Sequence, residues 1–371
     1  MLPDLEEGGV EWDTLDIGRF LAAHGHRSIV ISAGGRMVQQ LEKDHSTHIT
    51  MQVGVKSPAC LRFFFPLRRL LLRERADVLH LRSRVPAWLG YLVWKSLPNA
   101  QRPALVTTFH GFYSVNKFSA IMAKGQRVIA ISKAIEDHIA RHYGAREKTT
   151  LIYGGIDENV FHSDRVGKER ILRLTSQWGF QKTNRPVVML PGRLARLKGP
   201  DVFIHSLSLL EGLPFDALLV GDIEENPGLT AELGQLVKKY GLENRILMTG
   251  RCSDMPAALA LADIVVSASS SQPEAFGRTT VEAMAMEKPV IATAHGGSLE
   301  TVQENVTGWL VAPSDPKAMA AALTDALKDA KKRQRFGRAG RERVLKHFTL
   351  RAFYENTERV YKELVQQRGD R

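Results

Sequence analysis

Along the first half of the chain, short runs of β-branched and aliphatic residues alternate with stretches whose apolar positions recur every three or four residues. The runs 28–33, 48–53, 78–81, 105–109, 128–131 and 150–153 read as strands, and 12–24 and 134–142 as helices. This is the grammar of βαβ units, which build a mostly parallel sheet. The second half repeats it, with strands expected at 187–190, 217–220, 246–249, 264–267 and 290–292. Between the halves lie Gly154-Gly155-Ile156-Asp157 and the polar stretch 162–168, where a linker fits. Residues 316–367 read as charged helices without a strand signal. The fold expected is therefore α/β, with two Rossmann-like parallel-sheet domains.

A doubly wound domain normally begins with a central strand that feeds a glycine-rich turn. Gly8-Gly9 looks like that turn, yet only Met1–Leu5 and two further acids stand before it, and Pro3 and Asp4 are poor strand formers. The expectation is a first strand that is shortened or missing, as a start placed too far downstream would produce.

Length and composition narrow the class. With 371 residues, more than one hydrophobic core is expected, and 44% hydrophobic with 25% charged residues describes a globular protein. Cys60 and Cys252 are the two cysteines, so no disulfide framework is expected and a reducing, cytoplasmic setting is the natural one. The start has no apolar leader, and no apolar run reaches the length of a membrane span. The net charge of +11 favours anionic partners. Residues 1–17 carry six acids and no base, whereas residues 18–160 carry 21 Lys/Arg against nine Asp/Glu. The densest basic stretch, residues 61–73, mixes aromatics, leucines and arginines as a segment at an anionic membrane face would, or as an amphipathic helix with a core-facing side would.

Three segments carry chemistry. In Gln272-Pro273-Glu274-Ala275-Phe276-Gly277-Arg278-Thr279-Thr280-Val281-Glu282, after the strand 264–267, two glutamates stand eight residues apart. On one helix their Cα atoms would be about 12 Å apart along the axis. That exceeds the roughly 5–9.5 Å carboxyl separation of a glycoside hydrolase, so two separate binding tasks fit better than an acid/base pair. The amides of residues 275–279 would point out of a helix N-terminus toward a phosphate or sugar oxygen. In Pro191-Gly192-Arg193-Leu194-Ala195-Arg196-Leu197-Lys198-Gly199, glycines admit a close ligand and Arg193 and Lys198 supply charge for a diphosphate. A solvated basic loop is the alternative. The segment is neither a Walker loop nor a dinucleotide fingerprint. In Thr107-Thr108-Phe109-His110-Gly111, the histidine closes a strand, where ligands of open α/β sheets bind. Asp222-Ile223-Glu224 reads as a polar turn rather than a metal site, and the pair His138/His142 as an exposed helix face lacking a third ligand.

Taken in order, these segments resemble the family-4 retaining glycosyltransferases of the GT-B fold, and among them the lipopolysaccharide-type sugar transferases of bacteria. The resemblance spans nearly the whole chain. It also takes in Glu7-Gly8-Gly9-Val10-Glu11, Gly154-Gly155-Ile156-Asp157, Gly250-Arg251-Cys252-Ser253-Asp254-Met255 and Ala294-His295-Gly296-Gly297. It implies two domains facing across a cleft, residues 1–160 with 350–371 and residues 161–349, with the final helix crossing back to the first. It implies that Glu274 holds donor-sugar hydroxyls and Glu282 the nucleotide ribose. Arg193 and Lys198 would neutralise the diphosphate, Gly9 and Thr280 would lie near the phosphates, and His110 would line the sugar. The backbone from Arg251 through Cys252 to Ser253 would border the base, and Phe276 and Gly277 would complete the donor site. The reaction implied is transfer from a nucleotide sugar to a hydroxyl acceptor with retention, without metal or other cofactor. A membrane-associated glycolipid or lipopolysaccharide precursor is the acceptor expected, with the protein peripheral on the inner face of the membrane. A non-catalytic nucleotide-sugar-binding protein and a same-fold epimerase stay open. A nucleic-acid partner suits the charge, but no nucleic-acid motif supports it.

Overall fold

The computed structural model describes residues 1–6 and 8–369. The chain forms two compact units, one of residues 1–153 with 353–371 and one of residues 154–352. These divisions fall after Tyr153 and Ala352, seven residues before and three after the expected boundaries at 160 and 349. Glu7, part of one quoted motif, and residues 370–371 lie outside the described residues.

In the first unit the strands are β1 (Ile29–Ser32), β2 (Thr47–Thr50), β3 (Val78–Leu81), β4 (Ala104–Phe109), β5 (Arg127–Ala130) and β6 (Thr149–Leu151). All pairings are parallel, in a two-stranded sheet β1-β2 and a four-stranded sheet β3-β4-β5-β6. Every residue of β4 is buried, as a strand covered on both faces by helices must be. Residues 1–6 form no strand. They nevertheless lie between β1 and β3: the Leu2 N–H donates to the Ile31 carbonyl at 3.2 Å and the Met1 amine to the His80 carbonyl at 2.8 Å. Leu2 and Leu5 are fully buried against Leu15, Val30 and Leu41. From Phe353 onward the helix Leu350–Gly369 packs on this unit, pairing His26 with Glu358 at 2.7 Å and His80 Nδ1 with the Tyr361 hydroxyl at 2.6 Å.

The second unit holds β7 (Val187–Pro191), β8 (Asp216–Val220), β9 (Ile246–Gly250), β10 (Ile264–Ser267), β11 (Val290–Thr293) and β12 (Gly308–Val311), all parallel in the order β12-β11-β10-β7-β8-β9. β12 was not legible as a strand: Gly308 and Trp309 interrupt the aliphatic pattern, and only pairing to β11 extends them. The core packs Phe203, Phe215, Phe336 and Trp309 against the sheet. The chain starts at the centre with β7, winds outward to β9, then returns to β10 on the other side. Loops leaving β7 and β10 therefore diverge at a topological switch point, where open α/β sheets leave a crevice.

Candidate functional site

The switch point brings together two of the three segments. After β7 the Gly192 N–H donates to the Val220 carbonyl at 2.9 Å, and Leu194 is buried, which pins the loop while Arg193 stays exposed. A short 3-10 turn, Arg196–Lys198, ends at Gly199, whose φ of 63° starts the helix Pro200–Ser208. A Cβ on Gly199 would run into the Ala268 carbonyl oxygen, so this turn packs flush on the end of β10. The Ser270 N–H donates to the Leu197 carbonyl at 2.9 Å, tying the two loops together.

At that junction Lys198 Nζ pairs with Glu274 Oε1, and Ser269 Oγ donates to the same oxygen at 2.5 Å. Burial pushes the Glu274 carboxyl up, but Lys198, then the Ser269 hydroxyl and the nearby His295, outweigh it and hold its pKa below the ordinary range. Glu274 is a carboxylate beside a cation, with one oxygen already hydrogen-bonded. Its backbone is fixed as well, since the Gly297 N–H donates to the Glu274 carbonyl at 2.7 Å.

Three residues on, Gly277 takes a left-handed φ of 88° and caps the helix Arg278–Ala285 without any side-chain cap. Glu274 thus stands off the helix and Glu282 on it, so the axial spacing computed for a single helix does not apply. Glu282 is 7% exposed and accepts from Arg278 Nε at 2.9 Å. Burial raises its pKa, and the charge and hydrogen bond of Arg278 oppose the rise. Thr280 is 1% exposed, and its hydroxyl, without a hydrogen-bond partner, lies 3.6 Å from where a Cβ of Gly277 would stand. Buried His295 Nε2 and Ser298 Oγ are likewise unpartnered. Buried polar atoms are normally satisfied, so such orphans beside uncapped helix amides fit a site that completes its hydrogen bonds with a ligand.

On the far side of β7, Arg251 and Cys252 follow β9, Arg251 exposed and Cys252 half-buried. Burial raises the Cys252 thiol pKa, which disfavours a reactive thiolate. Asp254 anchors the loop by capping the helix Met255–Leu261 and pairing with Arg170 at 2.6 and 2.9 Å. Phe276 is buried and stacks edge-on to Phe348 at 5.6 Å, so it acts as packing beneath the loop.

In the first unit His110 closes β4, its side chain 9% exposed and its Nε2 without a hydrogen-bond partner. Nδ1 lies 3.8 Å from Asp13 Oδ2, which also accepts from Arg82 at 3.2 Å. Burial, reinforced by Arg82, holds the His110 pKa well below the ordinary value, so the ring is neutral at pH 7. Gly9 opens the helix Gly9–Ala23, and nothing lies within 4 Å of where its Cβ would be. Burial raises the Glu11 carboxyl, which folds back over Gly8 at that helix N-terminus.

Sequence reasoning gave no role to Ser269, His295, Asp13 or Arg82. Arg82 directly follows β3 and Ser269 stands two residues beyond β10, the signal that could have found them. His138 departs from the exposed face expected of it: its Nε2 bonds the Tyr113 carbonyl at 3.1 Å and its ring packs on Phe112 and Tyr143. In 222–224 the Glu224 N–H donates to Asp222 Oδ1 at 2.9 Å, a local polar turn. Residues 64–74 form the amphipathic helix with a core-facing side that was one of the two readings. In the helix Phe64–Glu74, Leu67, Leu70 and Leu71 are buried, whereas Phe65 and Leu61 are exposed among arginines. No helix among the described residues is long and apolar enough to cross a membrane.

Comparison with known proteins agrees with this arrangement. The family described as "Glycosyl transferases group 1" matches residues 175–343, and "Glycosyltransferase Family 4" matches residues 7–160. A crystal structure of a glycosyltransferase from Rickettsia africae superposes with a TM-score of 0.90 at 32% identity, over 98% of this chain and 97% of that one. The Anabaena protein Alr3699/HepE, solved in complex with UDP and glucose, gives a TM-score of 0.82 at 25% identity over 97% of this chain and 98% of that one. The N-acetyl-alpha-D-glucosaminyl L-malate synthase of Bacillus anthracis is 24% identical over 94% of this chain and 92% of its own length. A parallel-sheet unit of each family in chain order, and a relative at 32% identity matched end to end, leave one assignment: the chain is a group 1 glycosyltransferase with a family-4 amino-terminal half, built on the GT-B fold.

Proposed function

We propose that this chain moves a sugar from a nucleoside-diphosphate sugar to an acceptor hydroxyl with retention at the anomeric carbon, and without a metal. The observation that carries the reading is the buried, unpartnered Thr280 hydroxyl at the uncapped N-terminus of the helix Arg278–Ala285, flanked by Glu274 and Glu282. A diphosphate at this terminus satisfies Thr280 and the first-turn amides, and Arg193 and Lys198 spread its charge. Glu282 accepts from ribose hydroxyls and Glu274 from those of the sugar, with the loop of Arg251 and Cys252 beside the base. Nucleotide-sugar chemistry is supported by the UDP and glucose complex of the Anabaena relative.

In the reaction the anomeric C–O bond to the diphosphate breaks, and the acceptor hydroxyl forms the new bond on the same face. Charge developing on the leaving diphosphate meets groups already aligned, Lys198, Arg193 and the helix terminus, which is where electrostatic preorganisation contributes most. His110, neutral at pH 7, is assigned a hydrogen bond to the transferred sugar, with Gly9 near the phosphates. The basic first unit, with Phe65 and Leu61 exposed among arginines, favours an acceptor presented at an anionic membrane, such as a glycolipid or lipopolysaccharide precursor.

The test is a thermal-shift screen of UDP, GDP, ADP and their sugar conjugates, with and without EDTA, on wild type and Glu282→Ala. One base is expected to raise Tm regardless of EDTA, and the shift should shrink in the variant. No shift with any nucleotide, or one that EDTA abolishes, sinks the reading.

A further inference from the structure

In the helix Arg278–Ala285 the charges stand in an order that does not serve the helix itself. Its first turn holds no acidic residue and opens instead on Arg278. A cation there faces the positive end of the helix dipole, and an arginine four residues ahead of a glutamate is the weaker order for an i,i+4 pair. Helix stability therefore does not account for Arg278 at this position.

Its partner lies one turn on. Glu282 shares a helix face with Arg278 but is set deeper, its side chain 10% exposed against 32% for Arg278. Among the described residues the Glu282 carboxylate takes one hydrogen bond, from Arg278 Nε to Oε1 at 2.9 Å. The strands packed against this helix, β10 and β11, carry no charged residue. The short helix Ser298–Thr301 brings Glu300, and the helix Ala330–His347 brings Arg341 and Arg343. Arg341 is engaged by the Ala285 carbonyl at the far end of the helix, and Arg343 by the carbonyls of Glu300 and Thr301. The charge that acts on Glu282 is that of Arg278. A buried carboxyl without such a partner takes up a proton rather than stay charged in a low-dielectric setting. Burial raises the Glu282 pKa, and the charge and hydrogen bond of Arg278 are what oppose the rise.

We infer that Arg278 is a positioning residue for the ribose: it keeps Glu282 an anion and, by occupying Oε1, leaves Oε2 to accept from a hydroxyl of the nucleoside. The inference rests on the nucleotide-sugar reading of this site, in which Glu282 meets the ribose. Charge matters there because an ionised acceptor makes a hydrogen bond roughly twice as strong as a neutral one. The pair thus selects nucleosides that carry ribose over those that carry a deoxyribose. An arginine at the opening of the helix reaches back to a carboxylate one turn on, which explains the order of charges that the helix alone does not.

The experiment is titration calorimetry of wild type, Arg278→Met and Arg278→Lys from mildly acidic to mildly alkaline pH. The ligands are the nucleoside diphosphate that raises Tm in the screen above and its 2′-deoxy and 3′-deoxy forms. The readout is the ratio of ribo to deoxy affinity, because ionisation of the phosphates, Glu274 and His295 is common to these ligands and cancels. Wild type should favour the ribo form about three- to tenfold, the worth of one hydrogen bond. In Arg278→Met the carboxyl protonates earlier on the way to acid, so the preference should fade with a midpoint about 1 to 3 pH units above that of wild type. Arg278→Lys keeps the charge and should bring the midpoint most of the way back. Arg278→Gln, neutral as well, should follow Arg278→Met and takes its place if Met prevents folding. Coincident pH profiles of the ratio in wild type and the neutral variants overturn the inference. So does an equal loss of ribo and deoxy binding at every pH, which would make Arg278 a phosphate contact. A wild type that binds nucleotides with no ribose preference removes the role of Glu282 and the inference with it, whereas one that binds none removes the nucleotide-sugar reading as a whole.

Discussion

The Met1 amine offers a quantitative test of how tightly the first unit closes around its own start. Burial, and after it the Arg82 charge, lowers its pKa from 8.0 to about 5. Between those values the unfolded chain binds more protons than the folded one, so stability rises with pH through the window from about 5 to 8 and is lost as pH falls. The difference of 8.0 and 5 is three units, which at about 1.4 kcal/mol each caps the contribution at about 4 kcal/mol. Nα-acetylation keeps an N–H for the His80 carbonyl but leaves nothing to protonate. The assay is the urea midpoint of the first unit's transition across this pH range, for free and acetylated protein. Burial lowers His80, His110 and His138 with the same sign, but these rings are common to both proteins and cancel in the difference. The free-amine protein should lose stability more steeply toward acid, and parallel curves would refute the reasoning.

Other changes probe the two units separately. Arg82→Met leaves Asp13 without its guanidinium and should cost about 3 kcal/mol, the typical result of breaking a buried pair. The His110 pKa should move up toward its ordinary value in the same variant, read by NMR titration. Gly199→Ala adds an overlap with the Ala268 carbonyl to its left-handed strain, whereas Gly144→Ala, at φ 60° in open space, meets strain alone. Calorimetry should therefore show a much larger loss of Tm for Gly199→Ala. Lys198→Met should weaken nucleoside-diphosphate binding about 10- to 100-fold, as losing a charge-assisted hydrogen bond does. Titration calorimetry should find Lys198→Arg closer to wild type than Lys198→Met.

How much of this was legible beforehand can be seen in particular residues. The strands 78–81 and 264–267 match β3 and β10 residue for residue, because short, mainly aliphatic β-branched runs between turns read as strands. β12, with Gly308 and Trp309 inside it, carries no such local signal and exists through its pairing with β11. At the site, Glu274, Glu282, Lys198 and His110 stood out because each follows a strand or opens a helix. Asp13 and His295 did not, since what brings them there is distance in space.

The sequence by itself determined the alternation of elements, the two parallel-sheet units, the charge and the family, all of which rest on local periodicity and ordered motifs. Only the tertiary structure decided the switch point that sets Lys198 on Glu274. It also decided that the Thr280 hydroxyl is left unpartnered, and that residues 1–5 lie between β1 and β3. The reason is that strand order and burial are relations between segments far apart in the chain. A residue's neighbours along the chain constrain its conformation but not which strand lies beside it.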